Sequence, residues 1–204
     1  MSDEIILYTN PQSRSRIVHW MLAEVGVPCR AEVLAYGPEM KYEAYLRLNP
    51  MGKVPTLVHR GQIVTEVAAI CAYLADAFPE AGLAPAPADR AAYYRWLFFA
   101  AGPLEQAVTN TALKVAVTPE QSGFVGYGGS LERVLDTLET ALAGPFIAGG
   151  RFSAADVYVG SQLGWGLQFG TIPARPAFTT YWDGLKNRPA ARRAMAGDAA
   201  EVSG

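Results

Sequence analysis

A proline- and alanine-rich stretch over residues 79–88 separates two parts of the chain that differ in their hydrophobic period. Before this stretch, short apolar runs of strand type alternate with helical patterns. After it, every long segment repeats its apolar residues at helical spacing. The sequence therefore predicts an α/β domain over residues 1–78, a linker over residues 79–88 and an all-helical domain over residues 89–204.

The first part begins with the pattern of a strand, a helix and a second strand. The strands are predicted over residues 5–8 and 29–34, and Gly26 closes the helix between them. This order predicts a βαβ unit with a right-handed crossover. The helix is recognised from apolar residues at positions i, i+3, i+4 and i+7, which are Val18, Met21, Leu22 and Val25.

Two further short runs, residues 56–59 and 62–64, are joined by Arg60-Gly61 and predict a β-hairpin. A helix follows the hairpin, with Thr65 as its expected cap. The predicted fold is α/β in the order βαβ-ββα, followed by the helical domain. The apolar face of the helix after the hairpin consists of Val67, Ile70, Cys71, Leu74 and Phe78.

Composition excludes several classes of protein. Of the 204 residues, 50% are apolar and 18% are charged, which is enough apolar material for a sizeable core and argues against disorder. The formal net charge of −2, with mixed signs, offers no basic surface for nucleic acid. The sequence has neither a charged and apolar leader nor an apolar run of about 18 residues. We therefore expect no membrane partner and a cytoplasmic location.

Cysteine and histidine are too few and too scattered for a metal site or a redox pair. Cys29 and Cys71 fit neither a CxxC motif nor the spacing of zinc ligands, so both are predicted to be reduced core residues. The only histidines are His19 and His59. The sequence therefore predicts no metal cofactor.

Ser153-Ala154-Ala155-Asp156, at the start of an apolar helical segment, has the pattern of a capping box. In this motif the serine and the acidic residue each bond to the other's backbone N–H. Asp156 shares a helical face with apolar residues, so this helix start is expected to be buried. We interpret Asp156 as structural and keep a catalytic carboxylate as the alternative.

The stretch over residues 49–57, together with the later Glu66, has the makeup of a binding site for a small peptide. A proline and a glycine punctuate a turn in this stretch, and Pro55 heads the apolar run that follows. The backbone of Val54 at such a strand edge can pair with an extended peptide, while Lys53 and Glu66 can meet its carboxylate and its ammonium. An ordinary entry into the hairpin is the alternative.

In its order of elements, its Val-Pro turn and its Ser-x-x-Asp box, the chain resembles the cytosolic glutathione transferases, and more specifically bacterial members of the serine type. The resemblance covers nearly all of the chain. It implies a thioredoxin-like first domain that binds glutathione as co-substrate, a hydrophobic-substrate pocket between the two domains, and a homodimer. The implied activity is that of a glutathione S-transferase of the detoxification type, which activates the glutathione thiolate for attack on hydrophobic electrophiles.

Other classes of function stay open. The protein could use glutathione as a disulfide reductase, an isomerase or a dehalogenase, or it could be a non-catalytic binding or scaffold protein of the same fold. The turn after the first strand contains no cysteine, which argues against thiol exchange through an enzyme-bound mixed disulfide.

The resemblance also indicates where the catalytic residue lies. In the family, the thiol sulfur lies at the N-terminus of the first helix and receives a hydrogen bond from a tyrosine, serine or cysteine. Ser13 occupies the turn position where cysteine-bearing relatives have their cysteine, so Ser13 is the predicted catalytic residue. Ser13 could instead only cap the helix. The alternatives are Ser15, Asn10 and Tyr8, of which Tyr8 is disfavoured because it belongs to the strand end.

For the rest of the glutathione site, the resemblance carries over unevenly. Lys53 matches the residue that holds the glycyl carboxylate, and Val54, followed by Pro55, matches the residue that pairs with the cysteinyl backbone. Glu66 matches the acidic residue near the γ-glutamyl ammonium. Val67 departs from the pattern, because the family usually has a serine there and valine can offer only its backbone N–H. The α-helix that begins here still favours an anion at its N-terminus.

The electrophile pocket is expected from aromatic residues of the helical domain, which suit an apolar or aromatic substrate. Residues in such helical stripes can equally belong to the core. Glycines at positions 164, 166 and 170 are expected to loosen the end of one helix and leave room for a ligand. The predicted pocket residues are Tyr93, Trp96, Tyr127, Trp165 and Phe169.

Overall fold

The computed structural model describes residues 3–196, which fold into two compact units. The N-terminal unit comprises residues 3–83 together with 188–196, and the helical unit comprises residues 84–187. The last described helix, which its periodicity alone assigns to the helical domain, thus belongs to the N-terminal unit. Within residues 3–196, no helix has the length and apolarity that a membrane crossing requires.

A mixed four-stranded sheet forms the centre of the N-terminal unit. β1 runs parallel to β2 and antiparallel to β3, and β3 pairs antiparallel with β4. The predicted βαβ unit and hairpin are both present. Arg60 and Gly61 have left-handed φ values of 52° and 74°, which match the twist of the paired strands. In spatial order the strands are β2 (Arg30–Val33), β1 (Ile5–Thr9), β3 (Thr56–His59) and β4 (Gln62–Val64).

Three helices lie between or after the strands of residues 3–83. Two of them, the first and the third, are predicted by the periodicity, and the short second helix is not. Gly26 ends the first helix in a left-handed conformation, and its N–H donates to the carbonyl of Leu22. The prediction of Thr65 as a cap is wrong, because Glu66 directly precedes the third helix and no side chain caps it. The helices are α1 (Ser15–Val25), α2 (Glu43–Leu46) and α3 (Val67–Ala77), and a 3₁₀ turn, Pro38–Lys41, precedes α2.

The helical unit contains five α-helices. It also contains a bend, which the periodicity does not predict. Between the first two helices the chain passes through a π-helical turn, Ala100–Leu104, which contains Pro103. Proline has no N–H for the regular helical bond, and wider π turns accommodate such a loss. The helices are α4 (Ala91–Phe99), α5 (Glu105–Ala112), α6 (Leu131–Ala141), α7 (Ala154–Phe169) and α8 (Pro176–Lys186).

The last described helix, α9 (Pro189–Ala196), packs on α1 within the N-terminal unit. Its buried face consists of alanines, which let the two helix backbones approach closely. Arg188 donates through two guanidinium nitrogens to the carboxylate of Glu24, at 2.7 and 2.8 Å. Near the other end of α9, Arg16 donates to the carbonyl of Met195 at 2.7 Å. α9 therefore braces α1 near both of its ends.

Asp156 lies at the polar centre of the helical unit and has no exposed surface. Its Oδ2 accepts from the N–H and the hydroxyl of Ser153, at 2.9 and 3.0 Å, within the predicted capping box. Its Oδ1 accepts from the N–H of Ile147 at 2.8 Å and the hydroxyl of Tyr181 at 2.7 Å. Burial raises the pKa of Asp156, while these four hydrogen bonds favour its charged form. One carboxylate thus joins α7, the preceding loop and α8.

We expect Asp156→Ala to lower the free energy of unfolding by roughly 3 kcal/mol, because it leaves several buried donors without an acceptor. Chemical denaturation followed by circular dichroism measures this loss. The matched control is Asp183→Ala, which removes an exposed carboxylate whose ion pair within residues 3–196 is with Lys186, and it should change stability by less than about 0.5 kcal/mol. Equal midpoints for wild type and Asp156→Ala would contradict the role of Asp156.

Candidate functional site

The register of the sheet brings three chain segments to one edge of the N-terminal unit. Tyr8, near the end of β1, pairs with Thr56 at the start of β3. Val64, at the end of β4, pairs with Leu57. The segments that continue beyond these paired residues therefore leave the sheet at the same edge. They are residues 10–15 after β1, residues 53–55 before β3 and residues 66–67 after β4, which hold all the predicted glutathione-site residues except Tyr8 itself.

Asn10 organises the turn between β1 and α1. Its Oδ1 accepts from the N–H of Gln12 at 2.9 Å, and its Nδ2 donates to the carbonyl of Leu34 at 2.8 Å. Its own carbonyl accepts from the N–H of Ser13 at 3.0 Å. Side chains of this kind close turns by bonding to the backbone two residues on. Both polar atoms of the Asn10 side chain are thus already hydrogen-bonded within the protein, which disfavours Asn10 as the residue that contacts the sulfur.

Ser13 is the outermost of the two serines in this turn. Its Oγ lies 2.7 Å from the carbonyl of Asn10 and 2.7 Å from the Oγ of Ser15. It also accepts from the N–H of Ser15 at 3.0 Å, so Ser13 serves as a cap for the start of α1. Ser13 retains 9% of its surface, whereas Ser15 retains none. Of the two serines, Ser13 is therefore the one that keeps some exposed surface.

Tyr8 offers a second hydroxyl near this edge of the sheet. Its side chain is half-buried, and its ring lies 5.4 Å from the ring of Tyr45. Among residues 3–196, no hydrogen-bond partner is found for the Tyr8 hydroxyl. The next residue, Thr9, bonds through its Oγ1 to the Nε2 of His19 at 3.0 Å. Burial, with a smaller effect of Arg16, lowers the pKa of His19 and favours its neutral form.

The segment before β3 presents both charge and open backbone. The Val54–Pro55 peptide bond is cis. Lys53 is exposed, and within the described range its ammonium makes no ion pair. In the same range, neither the N–H nor the C=O of Val54 has a hydrogen-bond partner. This segment can therefore receive a carboxylate and pair with an extended backbone, as the sequence predicts.

Lys41 holds the tip of this loop. Its ammonium donates to the carbonyls of Met51 and Gly52, both at 3.1 Å. Gly52 has φ +58°, and a Cβ there would lie 2.6 Å from the carbonyl oxygen of Met40 and 2.7 Å from the Lys41 Nζ. Only glycine fits this close approach without a shift of the backbone. The sequence indicates that Gly52 is a turn residue, but it does not reveal the hydrogen bonds from Lys41 to this loop.

Glu66 and the start of α3 form the third part of the edge. Glu66 is exposed and has φ 65° and ψ 119°, a conformation that costs a non-glycine residue about 1–3 kcal/mol. The first three amides of α3, from Val67 to Ala69, have no acceptor in the part of the chain that the structure describes. Free amides at a helix N-terminus favour an anion. The site can thus accept an ammonium at Glu66 and a carboxylate at Val67.

The residues predicted for the electrophile pocket all lie in the helical unit. Three of them, Tyr93, Trp96 and Tyr127, are buried in its core, and the hydroxyl of Tyr127 accepts from Asn110 at 3.3 Å. Trp165 is half-buried, and Phe169, the last residue of α7, is 72% exposed. Of the five, the latter two have the most surface to offer a ligand, and the pocket stays a prediction.

The expectation that glycines loosen the end of α7 is wrong for Gly164 and Gly166. A Cβ on Gly164 would lie 2.6 Å from the ring of Trp182, and one on Gly166 would lie 2.4 Å from Ile172. Both glycines therefore allow close packing against neighbouring side chains instead of leaving room for a ligand. Gly170 ends α7 in a left-handed conformation.

Residues 3–196 contain no group of His, Cys, Asp or Glu side chains that could hold a metal ion. Both cysteines are free thiols. Cys71 is buried as predicted, but Cys29 is only half-buried, which corrects its assignment to the core. Burial raises the pKa of Cys29 to about 11 and that of Cys71 to about 12, so neither is a reactive thiolate at neutral pH.

Comparison with known proteins identifies the family. Residues 13–77 match the glutathione S-transferase N-terminal domain, and residues 126–165 match the C-terminal domain. Glutathione S-transferase GST-4.5 of Xanthomonas campestris pv. campestris is 30% identical over 183 residues, which cover 84% of this chain and 89% of that protein.

Solved structures agree with this match. A glutathione transferase from Methylococcus capsulatus has a TM-score of 0.78 and 32% identity over 95% of this chain and 98% of its own. A sphingomonad glutathione S-transferase, solved in complex with glutathione, has a TM-score of 0.74, 32% identity and the same coverage. The chain belongs to the glutathione S-transferase family, and the predicted thioredoxin-like domain followed by an all-helical domain is confirmed.

We expect Gly52→Ala to lower the free energy of unfolding by roughly 2–4 kcal/mol, because the new Cβ adds a clash to an unfavourable φ. Gly26→Ala is the matched control, since Gly26 also has positive φ (+78°) but no atom within 4 Å of a built Cβ. It should cost only about 1 kcal/mol. Thermal and urea unfolding of both variants measure the difference, and equal losses would show that the close approach at Gly52 carries no energy.

Proposed function

We propose that this chain is a glutathione transferase that activates the thiolate of glutathione for attack on hydrophobic electrophiles. The observation that carries the proposal is the convergence of residues 10–15, 53–55 and 66–67 at one edge of the sheet. These segments offer a hydroxyl, an open backbone edge, a cation and an anion. Together they offer a partner for each charged or polar part of a γ-glutamyl tripeptide. The glutathione complex of the sphingomonad relative supports the same ligand.

Each part of glutathione has a partner in the proposed site. Lys53 holds the glycyl carboxylate, and the backbone of Val54, shaped by Pro55, pairs with the cysteinyl residue. Glu66 binds the γ-glutamyl ammonium. The amide of Val67 and the N-terminus of α3 receive the γ-glutamyl carboxylate. Valine at this position removes one side-chain hydrogen bond but leaves the backbone donor.

The hydroxyl of Ser13 stabilises the thiolate. Lowering a thiol pKa from about 8.5 by two units requires about 2.7 kcal/mol. A hydrogen bond to a charged group contributes roughly 1.5–3 kcal/mol, and a helix N-terminus adds about 0.3–1 kcal/mol. These contributions together are sufficient. The thiol proton leaves to solvent, and the sulfur lone pair then forms the new bond to the electrophile as its leaving group departs.

The Ser13 hydroxyl has to change its acceptor to do this. In the structure it donates to the carbonyl of Asn10, at 2.7 Å. A thiolate is a charged acceptor and forms a stronger hydrogen bond than a neutral carbonyl does. The Asn10 carbonyl keeps the N–H of Ser13 when the hydroxyl rotates away. The exchange therefore leaves no buried acceptor unpaired.

Several further features belong to the same proposal and follow from the family. We propose a homodimer in the cytoplasm, with small hydrophobic electrophiles as second substrates and neither nucleic acid nor membrane as a partner. The pocket residues Tyr93, Trp96, Tyr127, Trp165 and Phe169 remain the proposed contacts for the electrophile. A panel of electrophiles tested with glutathione distinguishes conjugation from isomerisation, dehalogenation or disulfide reduction. Binding of glutathione with no turnover of any electrophile would favour a scaffold role.

We expect Glu66→Gln to weaken glutathione binding by about 1–3 kcal/mol, because the ammonium of the ligand loses a charged partner. Isothermal titration calorimetry with glutathione measures the dissociation constant. Glu80→Gln removes an exposed carboxylate elsewhere in the N-terminal unit and serves as the control, with unchanged affinity. If Glu66→Gln binds as tightly as wild type, Glu66 does not belong to the site.

We expect Ser13→Ala to raise the pKa of the bound thiol by about 1–2, since a charge-assisted hydrogen bond is lost. Glutathione should still bind, because its charged ends are held elsewhere. The loss should therefore appear in kcat, roughly 10- to 100-fold at neutral pH, and shrink as pH rises and the thiol ionises unaided.

Ultraviolet absorbance of the bound thiolate, titrated with pH, measures this directly, and Tyr8→Phe is the comparison variant. If Tyr8→Phe shifts the titration and Ser13→Ala does not, the thiolate is stabilised by Tyr8 and Ser13 is only a cap. If only Ser13→Ala shifts it, the assignment to Ser13 stands.

A further inference from the structure

Three buried polar side chains lie behind the Lys53–Val54 peptide, and we call them the Tyr45–Asn49–Thr56 cluster. Tyr45 and Asn49 each retain 5% of their surface, and Thr56 retains none. The hydroxyl of Tyr45 lies 2.9 Å from the Oγ1 of Thr56, and the Nδ2 of Asn49 lies 3.1 Å from the same atom. Buried polar groups are costly unless they are paired, so a cluster of this kind has a structural or functional reason.

The cluster converges on the carbonyl oxygen of Lys53. This oxygen accepts from the Tyr45 hydroxyl at 2.5 Å and from the Asn49 Nδ2 at 2.8 Å. A carbonyl oxygen has two lone pairs, and both are used here. The Asn49 Oδ1 accepts from the N–H of Met51 at 3.1 Å, so the amide group of Asn49 also bonds through both of its polar atoms.

Anchoring this carbonyl also sets the direction of the next N–H. The Lys53–Val54 peptide is trans, so its C=O and its N–H lie in one plane and point in opposite directions. The two donors of the cluster hold the C=O on their own side. The N–H of Val54 therefore points away from the cluster, and no acceptor for it is found among residues 3–196.

Thr56 connects this arrangement to the centre of the sheet. It is the first residue of β3 and pairs with Tyr8 of β1. The ring of Tyr8 in turn lies 5.4 Å from the ring of Tyr45. Through these contacts, the orientation of the Val54 N–H depends on the position of β1, the strand that leads into the turn of Ser13.

We propose that Tyr45 is a positioning residue for glutathione: its hydroxyl, with Asn49 and Thr56, fixes the Lys53–Val54 peptide so that the Val54 N–H faces the cysteinyl residue of the ligand. The inference rests on the proposed function. Tyr45 touches neither the ligand nor the sulfur and acts only through the peptide that it holds. Its role therefore concerns the affinity for glutathione and not the ionisation of the thiol.

The test compares Tyr45→Phe with Tyr73→Phe in the full chain. Tyr73 is a tyrosine of the same unit whose hydroxyl lies 3.0 Å from the Nδ1 of His59, away from the loop. The same atom is removed in both variants, so Tyr73→Phe controls for the loss of a hydrogen-bonded tyrosine hydroxyl. Thr56→Val is a weaker perturbation. It removes the hydrogen bonds of the Thr56 hydroxyl to Tyr45 and Asn49 but leaves the bond from Tyr45 to Lys53.

Tyr45→Phe should raise the dissociation constant and the KM for glutathione about tenfold. The value of kcat at saturating glutathione and the pKa of the bound thiol should stay near those of wild type. Thr56→Val should shift the dissociation constant in the same direction by less, and Tyr73→Phe should leave it unchanged. An equal change in Tyr73→Phe, or a changed thiol pKa at unchanged KM, would overturn the proposal.

A measurement without ligand separates this inference from the proposed function. Backbone ¹⁵N relaxation should show an ordered Val54 amide in wild type and Tyr73→Phe, and a more mobile one in Tyr45→Phe. If wild type fails to bind glutathione, the proposed function fails whatever the relaxation data show. If wild type binds but Val54 and the affinity are the same in Tyr45→Phe, the positioning role fails alone.

Discussion

The antiparallel pairing of β1 with β3 is the constraint on which the candidate site depends. Because Tyr8 lies opposite Thr56, the end of β1 and the start of β3 meet at one edge of the sheet. The hairpin to β4 returns the chain to that edge. Segments far apart in the sequence thus present a hydroxyl, an open backbone and two opposite charges side by side. A shift of the register by one residue would turn the side chains of β3 to the other face and remove this arrangement.

Both units secure an irregular segment by saturating one acceptor group with donors. In the helical unit, the carboxylate of Asp156 receives four hydrogen bonds, from Ser153 just before α7, from Ile147 in the preceding loop and from Tyr181 in α8. In the N-terminal unit, the carbonyl of Lys53 receives two. An acceptor with all its partners present specifies one geometry, because each alternative leaves a donor unpaired. The same physics therefore sets the start of α7 in one unit and the direction of the Val54 amide in the other.

The position of α1 is held from two directions. At its start, the turn closed by Asn10 bonds to the end of β2 through Leu34. Near its end, Glu24 bonds to Arg188 of the last segment. A helix dipole acts on a ligand only over its first turn, so its effect on a thiolate depends on where that turn is held. The packing of α9 thereby helps to hold α1 in place.

The main order of strands and helices, the hairpin at Arg60-Gly61 and the capping box of Asp156 could all be predicted from the sequence, because each depends on local period or on residues close in the chain. It also indicated the site segments, through the resemblance and through charged and turn-forming residues. The assignment of α9 to the N-terminal unit required the three-dimensional structure, because an alanine-rich face does not indicate which helix it packs against. The same holds for Gly164, which packs against Trp182, and for Tyr45, whose hydroxyl finds Lys53 through the fold. Contacts between distant residues leave no periodic signal in the sequence. These contacts nevertheless decide which polar groups are hydrogen-bonded within the protein and which remain available to a ligand.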